Sequence, residues 1–277
     1  MAAEMGIIPY KSENGKWIPS PYDGNSWWTG GFWPGLMWQL YAATKEDMFR
    51  VEALRAQELL TAEFRTYDLL NHDTGFMYLL STCADYKFFG TKQARTDTLH
   101  AASLLASRFN PVGYIRAWNE KQKMGFAIID CMMNLSLLFW ASRELEDPRF
   151  ANVAKIHADM TLRQFLREDG SVSHIIEIDP ATGARVKEHP GQGYTLGSSW
   201  SRGQAWAIYG YTMCYRFTRD PRYLEHACKV TDVYLKGLPE DMVPYWDFND
   251  PMIPNVSRDA SAAAVVASAL IELSGYV

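Results

Sequence analysis

The sequence predicts an all-α fold assembled from repeated antiparallel helical hairpins. Apolar residues recur at helical spacing through most of the 277 residues. Two stretches, LLFWASRELEDPRFANVAKIHADMTLRQF and YTMCYRFTRDPRYLEHACKVTDVYLKGL, share one plan: a helical pattern, an Asp-Pro-Arg-aromatic turn and a second helical pattern. Phe150 and Tyr223 fall at equivalent points of the two. A looser third copy, WQLYAATKEDMFRVEALRAQELL, turns at Asp47. Hairpins repeated at about 70 residues either stack into a solenoid or close into an α/α toroid. Aromatic-rich joints between the hairpins favour the toroid.

Periodicity places helices at roughly 33–44, 47–69, 76–89, 92–109, 126–146, 149–166, 203–219, 222–236 and 260–275. The turns explain themselves chemically. Asp147 and Asp220 suit the cap of the following helix, Pro148 and Pro221 its first turn, and Asp47 the corresponding cap of the third copy. The clearest strand signal is SVSHIIEID followed by ARVKEH across Asp179-Pro-Ala-Thr-Gly183, a β-hairpin pattern. It lies in a long non-helical insertion, residues 167–202, and connections of that length in a compact domain are usually functional. No linker or low-complexity segment divides the chain, so residues 1–277 read as one domain.

A hydrophobic content of 48% is ample for a sizeable core, and a net charge of -5 supplies no field for gathering phosphates, so nucleic acid is not an expected partner. Cys83, Cys131, Cys214 and Cys228 form no C-x-x-C pair and read as reduced thiols of a cytoplasmic protein. No basic segment followed by an apolar one opens the chain, so no signal peptide is expected. The most apolar run is too short and too often interrupted by polar residues to span a membrane.

That run, MGFAIIDCMMNLSLLFWAS, contains a single charged residue, Asp130. Burying a carboxylate there is costly unless something pairs with it or uses it. Desolvation favours the protonated acid, the form that delivers a proton, while the structural alternative is an Asp bonded to backbone donors or to Asn134. Asp73, in NHDTGFMY, is by itself a turn or cap residue, with Gly75 permitting a tight turn. Its interest is as a second carboxylate, since glycosidic cleavage generally uses two in unlike environments. Arg202, between Trp200 and Trp206, has the planar fork that matches a carboxylate. Pooled aromatics, Trp28, Trp118, Trp206 and Trp246 among them, suit sugar rings, whose C–H faces stack while hydroxyls bond to groups such as His174 and Gln192. Core packing is the competing reading for each tryptophan. No histidine or cysteine stands at zinc-ligand spacing, and no nucleophile elbow, Walker loop or dinucleotide fingerprint is present. No metal or other cofactor is expected.

Together the segments WWTGGFWPG, NHDTGFMY, GFAIIDCMMNLSLLFWAS, SVSHIIEID, GQGYTLGSSWSRGQAWAIYGY, PYWDFNDP and SRDASAAAVVASALIEL resemble the unsaturated glucuronyl hydrolases of glycoside hydrolase family 88. They occur in the family's order over nearly the whole chain. The resemblance implies an (α/α)6 six-hairpin toroid that hydrolyses a 4,5-unsaturated uronic acid from the non-reducing end of lyase-generated oligosaccharides. It implies that Asp130 protonates C4 of the vinyl ether and activates the water that adds at C5. Asp73 would be the second essential carboxylate. His174, Gln192, Arg202 and Trp206 would contact the unsaturated sugar, Trp28 and Trp246 would line its subsite, and Trp118 would stack on the next sugar.

The chain departs from the family pattern at Gly30, where Asp is common, and at Cys131, where Asn is usual. It also stops at Val277, where family members continue, so the toroid is expected to be incomplete at its C-terminus. The neighbouring readings are an unsaturated rhamnogalacturonyl hydrolase, a non-catalytic sugar-binding toroid and a helical-repeat scaffold. The oligomeric state is left open.

Overall fold

A computed structural model describes residues 6–21, 24–66 and 68–277. They group into two compact units, one of Met1–Arg108 with Trp140–Phe150 and one of Phe109–Phe139 with Ala151–Val277.

The first unit opens with the antiparallel pair β1 (Pro9–Glu13) and β2 (Lys16–Pro19), which the helical reading did not include. Its turn residues Asn14 and Gly15 take φ of 49° and 74°, the left-handed pair that matches strand twist in a two-residue hairpin. The helices α1 (Phe32–Thr44), α2 (Asp47–Ala62), α3 (Thr74–Leu80), α4 (Thr82–Phe89) and α5 (Lys92–Ser107) follow. α1 packs along α2, and α5 packs on α3 and α4, around buried Trp38, Leu60, Met77, Tyr78 and Leu105. Gly31 sits so close to α3 that a Cβ there would stand 2.5 Å from the Met77 Cα.

Three expectations need correction here. The helix expected over 47–69 stops at Ala62 and tightens into a 3-10 turn, Glu63–Arg65 (Tyr67 lies outside the described residues). The helix expected over 76–89 breaks at Ser81, where ψ is -90° and the hydroxyl donates to the Met77 carbonyl at 2.6 Å. A serine bonded back to its own helix competes with the regular ladder. Asp47 does not cap α2: Glu46 holds that position, and the Asp47 carboxylate accepts from Arg50 Nε at 2.6 Å.

In the second unit, β3 (Phe109–Asn110) pairs with β4 (Tyr114–Ile115), and β5 (Phe126–Ile128), β6 (Ile175–Ile178) and β7 (Arg185–His189) form an antiparallel sheet in that order. The β6–β7 hairpin is the one expected. Asp179 Oδ1 accepts from the N–H groups of Ala181 and Thr182 at 2.7 and 3.1 Å, and Gly183 supplies φ of 76°. The helix expected from residue 126 begins only at Cys131, giving α6 (Cys131–Leu145). A short apolar run reads equally as buried strand or helix. Gly125 decides between them, because a Cβ there would fall 1.9 Å from the Ile178 carbonyl oxygen. Only glycine lets β5 reach β6.

Four helices complete the described chain: α7 (Pro148–Gln164), α8 (Ser201–Thr218), α9 (Pro221–Lys236) and α10 (Ala260–Leu273). α8 packs along α9 and α10. The Asp-Pro-Arg turns behave as read, with Asp147 and Asp220 each accepting from the N–H two residues on at 3.0 Å. Gly210 brings α8 against α6, since a Cβ there would meet the Met132 Cβ at 2.4 Å. Below them His157 is fully buried, its Nδ1 accepting from Ile115 N at 3.0 Å. Desolvation pushes its pKa from 6.5 down to about 3, so the ring is neutral.

Candidate active site

Functional candidates recur at the starts of helices. Trp28 opens a 3-10 turn leading into α1, Asp73 precedes α3, Asp130 precedes α6, and Arg202 is the second residue of α8. Unpaired N–H groups and the helix dipole favour carboxylates at such ends.

In the first unit, Asp73 stands at the N-cap position of α3, where its side chain makes no cap hydrogen bond and is 14% exposed. Its Oδ1 lies 3.5 Å from Nε2 of the buried His72, and its N–H donates to Asn71 Oδ1 at 2.7 Å. The Trp28 ring packs against Phe76, in the first turn of α3, at 5.6 Å.

In the second unit, four of the sequence candidates, Asp130, His174, Gln192 and Arg202, converge. The Asp130 side chain is 16% exposed, so the carboxyl is partly open to solvent rather than sealed among apolar groups. Its Oδ1 is nevertheless buried and has no hydrogen-bond partner among the described residues, and His174 Nε2 lies 3.5 Å from it. The Ile129 N–H donates to the His174 carbonyl at 3.0 Å, so the end of β5 and the start of β6 fix both side chains.

His174 Nδ1 accepts from the Gln192 N–H at 2.8 Å. A nitrogen that accepts cannot carry the ring proton, so neutral His174 holds it on Nε2, facing Asp130. Gly191 permits this contact: a Cβ there would stand 2.1 Å from Nδ1, and its φ is 59°. The His174 ring packs on Trp200 with centroids 4.2 Å apart, and the Arg202 guanidinium lies 4.7 Å over the same tryptophan. Gln192 Oε1 accepts from Arg202 Nη2 at 3.1 Å, linking histidine, glutamine and arginine in one chain.

Arg202 already holds a carboxylate, that of Asp259. Arg202 Nη1 donates to Asp259 Oδ2, and also to Ser261 Oγ at 3.3 Å. Asp259 is the N-cap of α10, accepting from Ala262 N at 2.9 Å. Sequence reading did not select it, although Asp before a helical run is a cap signal. A second missed residue is the fully buried Asp247, which accepts from Ser198 Oγ at 2.7 Å and from Tyr194 N at 2.9 Å. It ties down the loop carrying Gly191 and Gln192, and although it lies in the PYWDFNDP segment, no local pattern singles it out there.

The remaining tryptophans differ in setting. Trp206 is 3% exposed inside α8. Trp246 is half-buried, its Nε1 donating to Asp250 at 2.8 Å and its carbonyl accepting from Ser201 N at 3.0 Å. Trp118 is half-buried, edge-on to Phe126 at 6.2 Å, with Lys123 Nζ 4.9 Å over its ring. Among the described residues no cluster of His, Cys, Asp and Glu is arranged to hold a metal ion, and no helix is long and apolar enough to cross a membrane.

No protein-family model matches the chain. Over 255 residues it is 42% identical to an unsaturated glucuronyl hydrolase of Formosa agariphila, covering 90% of this chain and 63% of that protein. Over 258 residues it is 38% identical to an unsaturated glucuronyl hydrolase of Bacillus sp. (strain GL1), covering 91% of this chain and 68% of the relative. The chain belongs to the unsaturated glucuronyl hydrolase family.

The crystal structure of the family member from Bacillus sp. GL1, described as responsible for the degradation of glycosaminoglycan, matches with a TM-score of 0.93 at 36% identity. The match covers 98% of this chain and 73% of that one. The fold class is therefore the α/α toroid of this family of glycoside hydrolases, as the motifs implied. The chain spans 63% and 68% of the two curated relatives.

Proposed function

We propose that this chain carries the family's activity: removal of a 4,5-unsaturated uronic acid from the non-reducing end of lyase-generated oligosaccharides. The observation that carries this reading is the partly open Asp130 carboxyl facing the Nε2–H of His174. Protonated Asp130 delivers its proton to C4 of the vinyl ether, and C5 takes up the positive charge. The resulting carboxylate removes a proton from water as the water oxygen bonds to C5. The hemiketal so formed collapses, opening the ring and releasing the remaining sugar as its own alcohol. One carboxyl group serves as acid and then as base, and His174 Nε2–H supports its anionic form between the two steps.

The substrate carboxylate has a ready partner in Arg202. Among the described residues, Nη1 is committed to Asp259 and Ser261 and one Nη2 hydrogen to Gln192, which leaves the Nε–H and one Nη2–H. An Nε–H and an Nη2–H on one guanidinium edge are the geometry for a bidentate carboxylate. By the family resemblance Asp73 is the second essential carboxylate, and Trp28, Trp118, Trp206 and Trp246 are sugar contacts. The four cysteines are unpaired, which suits a reducing, cytoplasmic compartment.

Incubation with the unsaturated disaccharides of chondroitin and of rhamnogalacturonan, following loss of the absorbance of the conjugated double bond, tests the reading. Turnover of the chondroitin product supports it. Turnover of the rhamnogalacturonan product alone moves the substrate to pectin, and turnover of neither overturns it.

A further inference from the structure

The first unit contains a cavity of about 720 Å³, within the range that takes a small organic ligand. It shares no residue with the candidates described above. Tyr41 from α1, Gln57 from α2, Asp85 and Phe89 from α4, and Asp97 from α5 line it. Gln57 is 7% exposed; its Nε2 donates to Asp85 Oδ2 at 2.8 Å while its Oε1 is buried with no hydrogen-bond partner among the described residues. An unsatisfied buried acceptor in the wall of a cavity calls for a donor from a ligand.

The cavity also has the wrong charge balance to stay empty at no cost. Asp85 is 4% exposed, and among the described residues neither it nor Asp97 has an ion-pair partner. Burial pushes both carboxyls above the ordinary Asp range. The cation in the lining, Arg50, is already held by Asp47 at 2.6 Å. The Tyr41 and Phe89 rings pack at 5.6 Å, offering electron-rich faces, and Lys45 Nζ already lies 5.7 Å over Tyr41. An anion would meet two carboxylates, and a neutral apolar molecule would leave the acceptors unsatisfied.

We propose that this cavity binds an organic ammonium ion with an aromatic or aliphatic body, its N–H groups donating to Asp85, Asp97 and Gln57 and its apolar part resting on Tyr41 and Phe89. Isothermal titration of the full chain with phenethylammonium, and with phenylacetate as the anion of similar shape, tests this. Saturable binding of the cation at up to about 10 mM, with none for the anion, is expected. Asp97→Asn and Phe89→Ala, at partly exposed positions, should each weaken it about tenfold while leaving the melting temperature near that of the parent. Asp85→Asn should do the same if it folds. Absence of cation binding, equal binding of the anion, or unchanged affinity in both Asp97→Asn and Phe89→Ala would overturn the proposal.

Discussion

Nε2 of His174 faces Oδ1 of Asp130 at 3.5 Å, and the backbone N–H of Gln192 occupies the other ring nitrogen. The loop between β7 and α8 thus determines which tautomer the proposed acid meets. A similar pairing recurs in the first unit, where His72 Nε2 lies 3.5 Å from Asp73 Oδ1. In both, a carboxylate at a helix start stands beside a buried histidine.

His174 is therefore expected to be the Nε2–H tautomer at neutral pH. Long-range ¹⁵N–¹H correlation spectra of labelled protein read this directly, with Nδ1 unprotonated and Nε2 protonated. A protonated Nδ1 would contradict the loop contact and its consequence for Asp130.

Gly191→Ala should damage the same contact without touching the carboxylate. The new methyl group would fall 2.1 Å from His174 Nδ1, at a φ of 59°. Strain of about 1–3 kcal/mol is expected in urea unfolding, with turnover down at least about tenfold from a displaced ring. Parental stability and rate together would show that the loop does not hold His174.

Asp259 combines a cap with the orientation of Arg202. Asp259→Ala should cost about 1 kcal/mol from the lost cap, with more from the unpaired guanidinium. Asp259→Asn keeps a capping oxygen, so its stability should recover more than its function. A fall of about tenfold in kcat/KM is expected for the Asn variant, from an Arg202 edge no longer fixed. A fully active Asn variant would remove Asp259 from the site.

How much of this was legible depended on the range of the interaction. The Asp-Pro-Arg turns and the β6–β7 hairpin were readable because turn chemistry is local. Asp130 stood out because a lone carboxylate in an apolar run has a stated energetic cost, and the run itself needed no structure to see. The start of α6 was misplaced because periodicity does not separate a short buried strand from a helix, and the deciding contact, Gly125 against Ile178, joins positions far apart in the sequence. Asp259 escaped for the same reason: its cap is local, but its pairing with Arg202 crosses 57 residues. Asp247 falls within the PYWDFNDP segment and His157 within a helical run, but neither role is legible there, since each is defined by what packs around it.

His157 makes stability depend on pH. Its pKa falls from 6.5 to about 3 on folding, so below 6.5 the unfolded chain binds a proton that the folded chain refuses. This group's contribution is fully present above pH 6.5 and is lost as pH falls, by up to about 1.4 kcal/mol per pH unit. Urea unfolding at pH of about 7.5 and about 5 should show the loss in the parent and a smaller one in His157→Gln, whose amide oxygen can still accept from Ile115 N. Equal losses in both would exclude His157 as the source.

The central claim is that Asp130 is the acid and base of a vinyl ether hydration. Its most direct test is the initial rate of double-bond loss for Asp130→Asn on unsaturated chondroitin disaccharide, beside the parent chain under identical conditions. The amide keeps the shape and loses the exchangeable acid proton, so a loss of about a thousandfold or more is expected with the fold and the melting temperature preserved. A folded Asp130→Asn variant turning over at the parental rate would contradict the account.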